Sequence, residues 1–105
     1  MVKSKHYTIV WDRAALDHFK EILIYLHKES DQAPKIVKIE LFKQLSRIKK
    51  APHLFKIDDL IEKPTNDLRV FLVYNYRVTY QIKNELNEIR LLRIRHSSRE
   101  PLSKP

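Results

Sequence analysis

The residues with the widest chemical options in this 105-residue sequence lie near its end, in His96-Ser97-Ser98-Arg99-Glu100-Pro101. Histidine is the side chain suited to exchanging a proton near neutral pH, so His96 is a candidate general acid or base. Arg99 can hold a phosphate in a fork of hydrogen bonds. Ser97 and Ser98 do not complete a nucleophilic site, because no third residue is indicated to orient a base. Other chemistries fail for want of residues. The sequence has no Cys, which removes disulfides, thiolate nucleophiles and Cys-bearing zinc sites, and no Gly, which removes glycine-rich phosphate loops. His6, His18, His27, His53 and His96 include no short paired spacing for a metal. Asp58-Asp59 with Glu62 reads as a small surface patch, so neither metal nor cofactor is expected.

The formal net charge of +8 and pI of about 9.8 attract polyanions, provided the excess is localised on one surface. Strand alternation suggests such a surface. In 76–83, Tyr76, Val78, Tyr80 and Ile82 share one face, and Arg77, Thr79 and Gln81 share the other. In 88–95, Leu92 and Ile94 are expected in the core, which puts Arg93 and Arg95 beside Arg77 on an open, basic sheet face. Arg69 is expected to contribute there, Arg90 to stand at its periphery, and Lys56 to reach it from the preceding loop. That face is the candidate nucleic-acid surface.

The elements that must position these groups follow from periodicity. Tyr7 to Trp11 alternates as a first strand. Asp12 reads as the N-cap of a helix from Arg13 to about Glu29, with Ala15, Phe19, Ile22 and Leu26 at helical spacing and Leu16 and Leu23 widening the stripe. Ser30 and Asp31 can cap a second helix that has Pro34 in its first turn and runs to about Lys50, with Val37, Leu41, Leu45 and Ile48 on one face and Phe42 beside it. Ala51-Pro52 stops it. His53 to Asp67 reads as a loop with at most one short strand. Strands are predicted over Leu68–Tyr74, Tyr76–Lys83 and Glu88–Arg95, with Asn75 and Asn84-Glu85-Leu86-Asn87 making the turns. The expected fold is a single α+β domain over 1–105, of two layers, with a helical hairpin packed on a small antiparallel sheet in the order βααβββ. Met1 to Trp11 lacks the apolar core of a signal peptide and no run approaches the ~20 apolar residues of a membrane span, so a soluble, cytoplasmic protein is expected.

Taken together, Trp11-Asp12-Arg13-Ala14-Ala15-Leu16-Asp17, Tyr25-Leu26 with Ser30 and Ala33, Leu45 through Pro52, Arg69, Tyr76-Arg77-Val78-Thr79-Tyr80, and Ile89 through His96 with Arg99 resemble the toxins of the RelE/ParE superfamily, from type II toxin-antitoxin modules. The resemblance covers nearly the whole sequence, and order and spacing carry it.

The resemblance implies one of two activities. The first is metal-independent cleavage of messenger RNA on the ribosome, with Arg69, Arg77 and Arg99 as cations around the phosphorane, His96 as acid or base, and Lys56 and His53 as further members, because relatives place catalytic groups in that loop. The alternative is non-enzymatic poisoning of DNA gyrase, in the manner of ParE, in which Arg77 and Arg95 serve the fold or an interface. A non-toxic nucleic-acid-binding module is a third reading. The sequence departs from the best-known nucleases in having no Tyr in its tail and no Glu base after the second helix. The implied partner is a cognate antitoxin with an acidic or amphipathic C-terminal segment.

Overall fold

The computed structural model of the protein describes residues 7–60 and 63–97. Strand β1 (Thr8–Trp11) leads into helix α1 (Arg13–Glu29) and helix α2 (Gln32–Lys50); after a loop come β2 (Leu68–Val73), β3 (Tyr76–Lys83), a 3₁₀ turn (Asn84–Leu86) and β4 (Glu88–His96). The sheet order is β1-β4-β3-β2. β2, β3 and β4 form the expected antiparallel meander. β1 corrects the expectation of a wholly antiparallel sheet: it pairs with β4 in parallel, Thr8 opposite Glu88 and Trp11 opposite Leu91. The long crossover through the helices and meander makes a parallel pair possible.

One face of the sheet is buried under the hairpin. Ala15 and Phe19 of α1 and Val37, Leu41, Leu45 and Ile48 of α2 pack on Phe71, Val73, Tyr76, Val78, Tyr80, Ile82, Ile89, Leu91 and Ile94. The Trp11 ring lies 5.4 Å from that of Phe19, centroid to centroid, and fixes the turn from β1 into α1. Two expected stripe members look outward instead: Leu16 and Phe42 are exposed.

The helix ends use their expected residues differently. Asp12 occupies the N-cap position of α1 without a side-chain capping bond; its backbone N–H donates to Leu91 O (2.9 Å), tying the helix start to β4. Ser30 Oγ accepts the Ala33 N–H (3.0 Å), which serves the start of α2, while Asp31 makes no side-chain cap.

A bulge changes the phase of β4. Thr79 faces Arg93 but Tyr80 faces Leu91, so Leu92 is an extra residue opposite that step. Ile94 is in the core as expected; Leu92 is only half-buried, and Ile89 and Leu91 take the core positions before the bulge.

Candidate functional site

Beyond the bulge the open sheet face assembles as expected: Arg77 is paired with Arg95 and Thr79 with Arg93. It is not an uncompensated basic surface. The loop after α2 runs along β2, where Ile57 bridges Arg69; the Val70 N–H donates to Lys56 O (3.0 Å) and the Asp58 N–H to Leu68 O (2.8 Å). This one-residue extension of the sheet swings the Asp58 side chain over the open face. Arg77 Nη2 then donates to Asp58 Oδ1 and Thr79 Oγ1 to Asp58 Oδ2, both at 2.7 Å, and the Leu60 N–H donates to Oδ1 at 3.2 Å. Asp58, expected at the surface, is fully buried, and the Arg77 side chain is only 12% exposed. Burial pushes the Asp58 carboxyl up, but the hydrogen bonds from Thr79, Arg77 and the Leu60 backbone, with the charge of Arg77, prevail and hold it below its ordinary 3.8.

Other carboxylates engage Arg90 and Gln81. Arg90 lies 3.5 Å from Asp12 and 3.1 Å from Glu88. Gln81 donates to Asp67 (3.2 Å), whose carboxyl is held low by hydrogen bonds from Thr65 and Gln81. Arg93 is half-buried and Arg95 exposed.

Arg69 does not join this face. In register it is opposite Tyr80, on the helix side of the sheet. Its guanidinium holds the loop from beneath, with Nη1 donating to Phe55 O (2.9 Å) and His53 O (3.3 Å), Nε to Asn66 O (2.8 Å) and Nη2 to Asn66 Oδ1 (2.6 Å). Beside it the Tyr80 hydroxyl donates to Pro52 O at 2.6 Å. Burial pushes that hydroxyl up to about 12, against the opposing influence of Arg69 and the Phe55 backbone.

His96 also lies on the helix side. It pairs with Tyr76, and the two rings meet edge to face at 5.4 Å. Both line a cleft against α1 that includes His18, Glu21, Ile22 and Tyr25. Here β4 has passed the end of β1, and His18 Nδ1 accepts the Ile94 N–H (3.2 Å) in place of a neighbouring strand. The sheet thus separates His96 from Arg77, Arg93 and Arg95. His53 and Lys56 are exposed in the loop on the β2 side. Arg99, Ser98, Glu62 and His6 lie outside the described residues. Among the described residues no group of three or more His, Cys, Asp or Glu is placed to hold a metal ion.

Sequence reasoning missed Asp58. The available signal was the company of Arg77 and Thr79, two donors on one face of a strand that contains no carboxylate. The outer side of α2 was also passed over. That helix carries Lys35, Lys38, Lys43, Arg47, Lys49 and Lys50 against Glu40 alone, and its Ile36, Ile39 and Phe42 are exposed.

The family model for the ParE toxin of the type II toxin-antitoxin system, parDE, matches residues 9–101. No curated protein gives a significant sequence match. Among solved structures, the chain resembles the chromosomal ParDE toxin-antitoxin system from P. aeruginosa (18% identity, 89% of this chain and 98% of that one, TM-score 0.68). It likewise resembles the isolated RelE toxin of E. coli (15% identity, 87% and 84%, TM-score 0.62) and the archaeal RelE-RelB complex from Pyrococcus horikoshii OT3 (15% identity, 90% and 98%, TM-score 0.61). At these identities the likeness is one of fold.

Proposed function

This chain belongs to the ParE toxin family of type II toxin-antitoxin systems, and on that premise we propose that it arrests growth as a non-enzymatic poison of DNA gyrase. The observation that carries this reading is the placement of Arg77 and His96 on opposite faces of the sheet. RNA cleavage needs a proton-transferring group and a phosphate-binding cation within reach of one scissile phosphate. Arg77, the best placed of the candidate cations, is moreover engaged by a buried carboxylate. These relations favour gyrase poisoning over the ribonuclease reading that the C-terminal residues first suggest.

The partner that restrains it is a cognate antitoxin. The similar structures that are toxin-antitoxin assemblies support this, and so does the outer side of α2, where apolar Ile36, Ile39 and Phe42 stand among six basic side chains. An acidic, amphipathic antitoxin segment fits such a surface, with apolar anchors at its centre and a charged rim.

Inducing the protein in a host without antitoxin, and following leucine and thymidine uptake with primer extension on an abundant transcript, tests the reading. Thymidine uptake is expected to fall first, with transcripts intact and His96→Ala as potent as the wild type. Early loss of leucine uptake with cuts inside reading frames returns the ribonuclease, and unaffected growth removes toxicity altogether.

A further inference from the structure

β4 outlasts the strand beside it. β1 ends at Trp11, opposite Leu91, and the chain leaves the sheet at Asp12, whose N–H donates to Leu91 O. β4 runs on to His96, paired with β3 on its other side as far as Tyr76. The Ser97 N–H donates to Asn75 O, so by the alternation of an antiparallel ladder Arg95 and Ser97 turn their backbone groups to β3. Ile94 turns its own the other way, into the lane that β1 has left. His18 reaches into that lane from α1, and its Nδ1 accepts the Ile94 N–H at 3.2 Å. A ring nitrogen answers one group, whereas a strand answers the N–H and the C=O of the same residue together. His18 is a side-chain plug at a position where a backbone fits, and covering an edge in this way keeps it from pairing at random.

The lane also has walls. The cleft between α1 and the end of β4 has a volume of about 610 Å³, with Ile22 and Tyr25 on the helix side and Tyr76 and Ile94 on the sheet side. A cleft of that size can take a ligand. Tyr25 is 57% exposed, and Glu21 is the one carboxylate among the lining residues. Apolar walls beside a strand edge suit a polypeptide in extended form.

We propose that an extended, acidic segment of the antitoxin continues the lane of β1 along β4, taking the Ile94 N–H from His18 and setting apolar side chains into the cleft. The proposal rests on the antitoxin reading above and adds a second contact to the α2 surface. In recognition of this kind the main-chain bonds supply affinity and the alternate side chains supply specificity. The net charge of +8 favours an acidic partner.

The test co-expresses the full-length toxin with each reading frame that flanks its gene, takes the product that restores growth as the antitoxin, and follows amide exchange in the toxin alone and in the complex. In the toxin alone, His18→Ala is expected to speed exchange at Ile94 about tenfold, the worth of one hydrogen bond. The antitoxin is expected to restore protection at Ile94 in that same variant, which a contact confined to α2 does not do. Tyr25→Ala is expected to weaken the complex about tenfold at an unchanged melting temperature, and His18→Ala not to weaken it. The proposal is overturned if Ile94 stays unprotected in the complex of His18→Ala, if Tyr25→Ala binds the antitoxin as tightly as the wild type, or if His18→Ala binds it more weakly. It is equally overturned if Ile94 in His18→Ala alone is already protected, which means that the chain itself covers the edge, or becomes so as toxin concentration rises, which means that a second copy does. If no flanking frame restores growth, the antitoxin reading falls and this proposal with it; if one does and Ile94 is untouched, this proposal alone falls.

Discussion

Arg77 and Asp58 meet at 2.7 Å across 19 positions of sequence, with the carboxylate fully buried and the guanidinium nearly so. A pair so enclosed is costly to break from one side, because the survivor keeps its charge without its partner. Arg77→Ala is therefore expected to destabilise the protein by about 3–5 kcal/mol. Combining Arg77→Met with Asp58→Leu should recover most of that loss. Urea unfolding of both variants decides it. A single variant as stable as the wild type would mean that the pair is not held as described.

The same pair governs behaviour in acid. The Asp58 carboxyl is held below its ordinary value in the folded chain. Its contribution is thus complete above the unfolded value of about 3.9 and is lost as pH falls through the folded one. Melting temperatures between pH 5 and pH 2 should drop less steeply for Asp58→Asn than for the wild type. Parallel curves would show that other carboxylates carry the acid response.

At the alkaline end the sign reverses. Tyr80 ionises near 12 in the folded chain, whereas an unfolded tyrosine does so near 10. Stability is therefore full below about pH 10 and falls as pH rises from there to the folded value. Difference absorbance near 295 nm should show a tyrosine step near pH 12 that Tyr80→Phe removes.

Elements with regular periods were legible in the sequence, and groups placed by irregular backbone were not. The α1 and α2 stripes and the alternation of β3 locate those elements to within about two residues, because burial on one face writes itself into the spacing. β4 misled because one period was carried through the bulge; the adjacent Leu91-Leu92, breaking the alternation, was the visible sign of it. Asp58, Arg69 and the loop they organise were opaque, since each is fixed by contacts 12 or more positions away. The positive φ at Tyr74 (55°) belongs to the two-residue hairpin loop between Val73 and Tyr76, whose favoured turns require it at the first loop position whatever residue stands there. Of the candidate site, the pairing of Arg77 with Arg95 could be read, and the turning of His96 to the other side follows from the same alternation.

Arg69 gives a test of the loop itself. Removing a guanidinium that serves three backbone carbonyls leaves Phe55 O, the part-buried acceptor, short of its donor. Arg69→Ala should cost about 1–3 kcal/mol and speed exchange of the Asp58 and Val70 amides, which close the bridge beside it. Exchange unchanged at both amides would mean that the loop is held without the arginine.

The parallel seam between β1 and β4 also sets a schedule. Thr8 is opposite Glu88, 88 − 8 = 80 positions later, and at translation rates of about 5–20 residues per second those partners emerge roughly 4–16 s apart. Until then the first strand has no neighbour and the helices lack most of the sheet they cover. A ribosome making this protein thus carries a chain without its finished fold until β4 has emerged, an interval in which an antitoxin already in the cell can be waiting before the toxin exists.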